Sequence, residues 1–377
     1  MIYLDSAATT FQKPPSVRAA VQNALRTLAS PGRGGYAAAR AAEETAFRCR
    51  SLAAELFRVP SPEQVVFTSN ATHGLNLAIK SLVPEGGRAV VSGYEHNAVT
   101  RPLHALRARV KVAASPLFDR RAALRAFENL IETGVDAVVC THVSNVFGFV
   151  LPIEDIAALC RAEGVPLIVD ASQSAGVLPL DFAALGAAFV AMPGHKGLYG
   201  PQGTGLLLCG HETRPLLEGG TGSASLEQEM PDFLPDRLEA GTHNMPGIAG
   251  LEAGLRFVQE RDGRIARHER ALIARAAERL RRIDGVTVYA ASDTLGQVGV
   301  LSFNVDGRGP EEVAEALARR GFALRAGLHC APYAHRTAGT LPDGTVRLSV
   351  SAFNAPADID AFARALRAVT ERERFLR

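Results

Sequence analysis

Tryptophan is absent from the 377-residue chain, and lysine nearly so. Of 41 basic residues only Lys13, Lys80, Lys111 and Lys196 are lysines, against 37 arginines. Chemistry that needs a side-chain amine therefore has four candidates. Cysteine is sparse too, at Cys49, Cys140, Cys160, Cys209 and Cys330. The number is odd, the spacings are long and no CxxC pair occurs. That pattern excludes a disulfide framework or a structural zinc site and fits a reducing cytoplasm. The longest apolar run, Phe182 to Met192, is about half the ~20 residues that span a bilayer. The opening MIYLDSAATT has neither the basic nor the apolar region of a signal peptide. A large charge of one sign is also missing, since the net charge is only +2. The one arginine cluster, Arg279, Arg281 and Arg282, reads as a solvated helix face because no interleaved aromatics accompany it. The expectation is a soluble cytoplasmic protein with no metal, no membrane and no nucleic-acid partner.

What the chain does have is core. Hydrophobic residues make up 47% and charged residues 21%, a globular balance, and the length suggests two domains. Between about residues 64 and 210, strand and helix patterns alternate. Strands are predicted at 64–69, 89–92, 111–114, 137–141, 166–170, 189–192 and 205–208. Helical spacing fills most of the gaps, as with Leu75, Ala78, Ile79 and Leu82. Such alternation predicts a mostly parallel sheet covered on both faces. Beyond residue 246 the texture changes to a long helical region running to about Ile283, strands at 286–290 and 298–303, a helix over 310–320, strands near Ala323 and Val346, and a last helix. Residues 218–244 read as one long loop. The expected division is an N-terminal segment 1–14, a large domain 15–245 and a smaller α+β domain 246–377.

In open α/β sheets ligands bind beyond the carboxyl ends of the strands. Asp170 ends an apolar strand in VDASQ. Lys196 follows the next strand in MPGHKGLYGPQGTG, where glycines let the backbone approach a ligand. A carboxylate and a lysine at neighbouring strand ends suit pyridoxal 5'-phosphate. The carboxylate keeps the pyridinium nitrogen protonated, and the lysine forms the Schiff base. No GxGxxG follows the first strand, which argues against a nucleotide-binding oxidoreductase.

An ordered series of segments carries a resemblance over nearly the whole chain: YLDSAATT, FTSNATHGLN, YEHNA, THVSNVFG, VDASQ, GHKGLYGPQGTG, EAGTHN, RAGLHCAP and VRLSVSAFN. The chain resembles the class V aminotransferase group of fold-type I pyridoxal-phosphate enzymes, and within it the cysteine desulfurase and selenocysteine lyase family. The resemblance implies a large domain with a mostly parallel mixed sheet, plus a smaller α+β domain. Position by position, it makes Lys196 the Schiff-base lysine and proton shuttle and Asp170 the pyridinium partner. Gln173 becomes the donor to the phenolic oxygen, His96 the ring-stacking histidine and Asn145 a neighbour of ring and substrate. Arg347 would bind the substrate carboxylate, with Arg325 close by. Ala71, Thr72 and His195 would hold the phosphate, joined by Thr242 from a second subunit, which implies a homodimer with shared active sites. Two departures stand out. Pro193 replaces a serine that contacts phosphate in related desulfurases, and Gly197 is an extra residue in the lysine loop.

Cys330 decides the reaction. A thiolate is the competent nucleophile, and the cations expected beside it, Arg325 and His329, would lower its pKa. The other four cysteines read as small core residues. The resemblance makes Cys330 the persulfide-forming residue, so L-cysteine would become L-alanine and the sulfur would pass to an acceptor, with a sulfur-acceptor protein as an expected kind of partner. Selenocysteine lyase, another class V lyase, or an aminotransferase with no need of Cys330 are the alternatives.

Overall fold

The computed structural model describes residues 1–32, 34–132, 134–293 and 295–371. The chain opens with a short strand, β1 (Ile2–Tyr3), then two helices, α1 (Pro15–Thr27) and α2 (Ala37–Phe57). There follow β2 (Val65–Thr68), α3 (Ala71–Leu82), β3 (Arg88–Ser92), α4 (Asn97–Ala105), β4 (Arg109–Ala113), α5 (Arg120–Glu128), β5 (Ala137–Thr141), α6 (Ile153–Ala162) and β6 (Leu167–Asp170). The one-turn α7 (Phe182–Leu185), β7 (Phe189–Pro193) and β8 (Gly205–Cys209) complete a seven-stranded sheet in the order β2-β8-β7-β6-β5-β3-β4. Only β8 runs against the rest, so β2, β3, β5, β6 and β7 all end at one edge.

Alternation along these strands builds two cores. Val90, Val138, Val169 and Val190 face one layer of helices. Val91, Val139, Ile168 and Ala191 face the other. With both faces covered, β5, β7 and β8 are buried along their whole length, and so they carry apolar runs instead of alternating polar residues. Helices start where a side chain can take an orphan N–H: Asn70 caps α3, Asp119 caps α5, and Asn244 caps α8 (Met245–Gln259).

The long helical region expected to run to Ile283 is in fact two helices. Gly263, at φ 62°, breaks it before α9 (Arg264–Leu280). That is a left-handed turn which glycine takes without a Cβ clash. Next come β9 (Val286–Tyr289), β10 (Val300–Val305), α10 (Pro310–Ala318), β11 (Phe322–Ala323), β12 (Arg325–Gly327), α11 (Pro332–Ala338), β13 (Thr345–Ser349) and α12 (Pro356–Glu371). Strands β12-β13-β10-β9 form an antiparallel sheet packed on α9, α10 and α12. β1 pairs in parallel with β11, and Leu4 joins the core of that second sheet. The segment after β1 is thereby anchored at 322–349 before it crosses to the edge of the large sheet. Lys111, expected to open a strand, lies in the middle of β4 and pairs with Glu132 at 2.6 Å. No helix among the described residues is long and apolar enough to cross a membrane.

Candidate active site

The carboxyl ends of β2, β3, β5, β6 and β7 open onto one cleft with a cavity volume of about 90 Å³. Ala71, Thr72, His96, Asn145, Asp170, Gln173, His195 and Lys196, eight of the residues singled out from sequence, line it together. Their convergence follows from strand direction, because each lies just past the end of a parallel strand.

Asp170 is buried, and its Oδ1 accepts Ser172 N–H at 2.9 Å and the Ser172 hydroxyl. No described residue donates to its Oδ2. Lys196 is pushed down to about 8, chiefly by burial, with Asp170 partly opposing the shift. At pH 7 roughly one such amine in ten is neutral, against about one in three thousand for an ordinary lysine. His195 is held neutral, its pKa pushed to about 4 by burial and then by the charges of Lys196 and Lys13. His96 caps α4 through its ring: Nδ1 accepts Ala98 N–H at 3.0 Å. The neutral ring therefore carries its proton on Nε2, and burial lowers its pKa. Gln173 gives one amide hydrogen to Ala7 O at 3.0 Å and keeps a second. Asn70 caps His73 N–H, so the Ala71 and Thr72 N–H groups at the positive end of α3 face the cleft without a described partner.

Three predicted residues lie just outside this lining. Arg347 is buried and donates from Nη1 to Asn145 O at 3.0 Å and from Nη2 to Asp5 Oδ1 at 2.9 Å. Its Nε is buried with no partner. Arg325 grips the other Asp5 oxygen with Nε and Nη2, at 3.2 and 3.1 Å. Cys330 is exposed in the turn between β12 and α11. His329 and Cys330 sit at φ 49° and 55°, two consecutive left-handed residues that are not glycine. The turn is held from both sides, since Asn145 Nδ2 donates to His329 O at 2.9 Å and Asn97 N–H to Cys330 O at 2.7 Å. Strained residues persist only where neighbours over-determine them, and here those neighbours are Asn145, which lines the cleft, and Asn97, which lies between His96 and Ala98 of that lining. Thr242 is exposed and lines a different cavity with His73, Glu239 and His243.

The sequence-based view of Cys330 needs one correction. His329 is no cation, because burial pushes its pKa to about 2 while Nε2 donates to Thr345 O at 3.0 Å. Arg325 is already paired with Asp5. The other four thiols are buried, and burial drives their pKa values up, which suits inert core residues.

The two departures are visible in the lysine loop. Pro193 ends β7 on the cleft wall and offers no hydroxyl there. Gly197 lies back to back with residues 175–176: a Cβ on Gly197 would stand 2.4 Å from Ala175 O, and one on Gly176 would stand 2.2 Å from Gly197 O. This close approach is possible because both positions lack a side chain.

Sequence reasoning missed Asp5, Lys13 and Glu95. Asp5 stands within the YLDSAATT segment, which was recognised without a role for its acid. Lys13 enters the sequence reading only as one of four lysines. Glu95, next to His96, is fully buried. Burial pushes it up to about 8, against the bonds from Ser92 and Thr141, and Asp170 adds to the rise.

Asp170, Lys196 and the start of α3 share one cleft at the strand ends of an α/β fold. Residues 2–362 match the model of the family described as aminotransferase class-V. A probable cysteine desulfurase of Methanothermobacter thermautotrophicus is 32% identical, across 97% of this chain and 94% of the relative. One from Mycolicibacterium paratuberculosis is 35% identical over 98% of this chain, which spans only 56% of that longer relative. The apo structure of cysteine desulfurase from Thermococcus onnurineus superposes with a TM-score of 0.88 at 29% identity, covering 98% of this chain and 95% of that one. The Escherichia coli cysteine desulfurase CsdA gives 0.85 at 28% identity, covering 98% and 94%. The chain belongs to the class V aminotransferase family and, within it, to the cysteine desulfurases.

Proposed function

We propose that this protein binds pyridoxal 5'-phosphate in the cleft and removes the sulfur of L-cysteine, releasing L-alanine and leaving a persulfide on Cys330. One observation carries the reading. Lys196 and Asp170 share a cleft with Asn145, which also holds the turn of the one exposed thiol among the described residues.

The donor set fits the cofactor. Ala71 and Thr72 N–H, the Thr72 hydroxyl and His195 would hold the phosphate, with the partner subunit's Thr242 adding a contact in a homodimer. Asp170 would pair with the ring nitrogen, Gln173 with the phenolic oxygen, and His96 would cover the ring face. When bound, pyridoxal phosphate supplies an electron sink for the substrate Cα.

The protein's own groups do the rest. Arg347 binds the substrate carboxylate, satisfying its unpartnered Nε, and Arg325 lends charge nearby. Asn145 holds both the cleft wall and the Cys330 turn. Lys196, with its depressed pKa, takes the Cα proton and later returns it. His96 has its Nδ1 lone pair committed to Ala98 and so contributes an Nε2–H donor, which leaves Lys196 as the base. The Cys330 thiolate attacks the substrate sulfur: an S–S bond forms, the Cβ–S bond breaks with its electron pair going to carbon, and protonation yields alanine. The persulfide then passes to an acceptor, such as a sulfur-carrier protein in the cytoplasm.

Cys330→Ala tests this directly. The variant is expected to keep the visible absorption of the cofactor and to stop releasing alanine from cysteine. Normal turnover by Cys330→Ala would sink the reading.

A further inference from the structure

The peptide between His195 and Lys196 is held from outside the sheet by the N-terminal segment. His195 O accepts four donors: Lys13 Nζ at 2.9 Å, Thr10 Oγ1 at 3.0 Å, Thr10 N–H at 3.1 Å and Thr9 Oγ1 at 3.2 Å. Lys13 Nζ also reaches Thr10 Oγ1. The ammonium is the only charged donor among them, and charge-assisted bonds are roughly twice as strong as neutral ones. The carbonyl it grips belongs to the planar peptide whose nitrogen is that of Lys196, so holding the oxygen holds the plane that contains Lys196 N and Cα, from which the side chain starts.

The loop needs such a tie. Gly194 and Gly197 flank His195–Lys196, and neither brings a side chain that could pin the peptide between them. Residue choice points the same way. In a chain that uses arginine at 37 of 41 basic positions, residue 13 is lysine. A compact ammonium fits between a hydroxyl and a single carbonyl, whereas a planar guanidinium fork needs a wider partner.

We propose, on the basis of the functional reading above, that Lys13 is a positioning residue that aims Lys196 at the substrate Cα by holding the His195 carbonyl. Burial lowers Lys13 to about 8, so most of it is charged at neutral pH. Its contact with the substrate is indirect, and its effect falls on proton transfer at Cα rather than on substrate binding.

The test uses Lys13→Met and Lys13→Ala. In the apoprotein, amide hydrogen exchange is expected to quicken in the peptide spanning 193–199 and to stay unchanged elsewhere in the large sheet. In the holoenzyme, exchange of the Cα proton of L-alanine in D2O should slow about 10-fold to 100-fold, as expected for a misaimed reacting group. KM for cysteine should stay within about twofold, and millimolar methylamine should restore part of the exchange rate in Lys13→Ala. The proposal is overturned if local amide exchange or Cα exchange matches wild type. It is equally overturned if the loss comes with a chain-wide rise in amide exchange and no recovery with methylamine, which would mark a merely structural lysine. The two readings fail separately: wild-type protein that releases no alanine from cysteine overturns the desulfurase reading, while the Lys13 tie is still read by amide exchange in the apoprotein.

Discussion

Glu95 offers a quantitative test of the electrostatics beneath the cleft. It is fully buried beside Asp170, receives the Ser92 hydroxyl and Thr141 N–H on Oε1, and has a buried Oε2 with no partner. Burial raises it from 4.5 to about 8, so at neutral pH the native protein holds it protonated. Asp170 is then the acid that acts most strongly on Lys196, ahead of Asp5. Because the folded pKa lies above the unfolded one, the native state binds the extra proton between about pH 4.5 and 8, and stability falls as pH rises through that window. Unfolding at pH 6.5 should release about one proton from this side chain. At about 1.4 kcal/mol per pH unit per proton, the group costs about 3–4 kcal/mol of stability between pH 5 and 8. Glu95→Gln keeps a neutral acceptor for Thr141 N–H and has no proton to lose. The assay is proton release on denaturant unfolding in weakly buffered solution at pH 6.5, variant against wild type. The histidines held neutral by burial take up protons on unfolding in both proteins and cancel in the difference. Glu95→Gln should release about one proton fewer, and its stability should decline less steeply from pH 5 to 8. Equal proton release by the two proteins would refute a protonated Glu95.

Gly197→Ala places a Cβ 2.4 Å from Ala175 O, so it should lower the thermal midpoint and weaken cofactor retention, read by scanning calorimetry and by absorbance after dialysis. Glu239→Ala strands Arg50, whose guanidinium Nη1 it accepts at 2.8 Å in a buried pair, and should cost about 3–5 kcal/mol in denaturant unfolding. Arg347→Lys loses the planar fork and should raise KM for cysteine about tenfold or more with a smaller change in kcat, by steady-state alanine release. Borohydride reduction of the holoenzyme should label Lys196 and leave Lys13, Lys80 and Lys111 unlabelled, by peptide mass mapping.

Much of this was legible in the sequence because it is written in local order. Strand and helix alternation with its hydrophobic periodicity named the α/β class. Apolar runs named the strands buried on both faces. The strand-end rule then singled out Asp170 and Lys196 before any distance was known, and the family resemblance added Asn145 and His96. Compositional scarcity did similar work, with four lysines and five cysteines leaving few candidates for amine or thiol chemistry.

What the sequence left open depends on long-range pairing. Lys13 and Asp5 carry no local mark of a role. Only the β1–β11 pairing carries Asp5 to Arg347 and Arg325, and the crossing that follows carries Lys13 to His195 O. His329 was read as a cation because its residue type allows one, but a charge state is set by burial, and burial is a property of the whole fold. Glu95 likewise looked like an ordinary acid until its neighbours excluded water. The sequence by itself determined which residues lie at strand ends, since backbone direction follows from local pattern. The tertiary structure alone decided which charges survive there and which distant side chains aim them, because both depend on contacts between residues hundreds of positions apart.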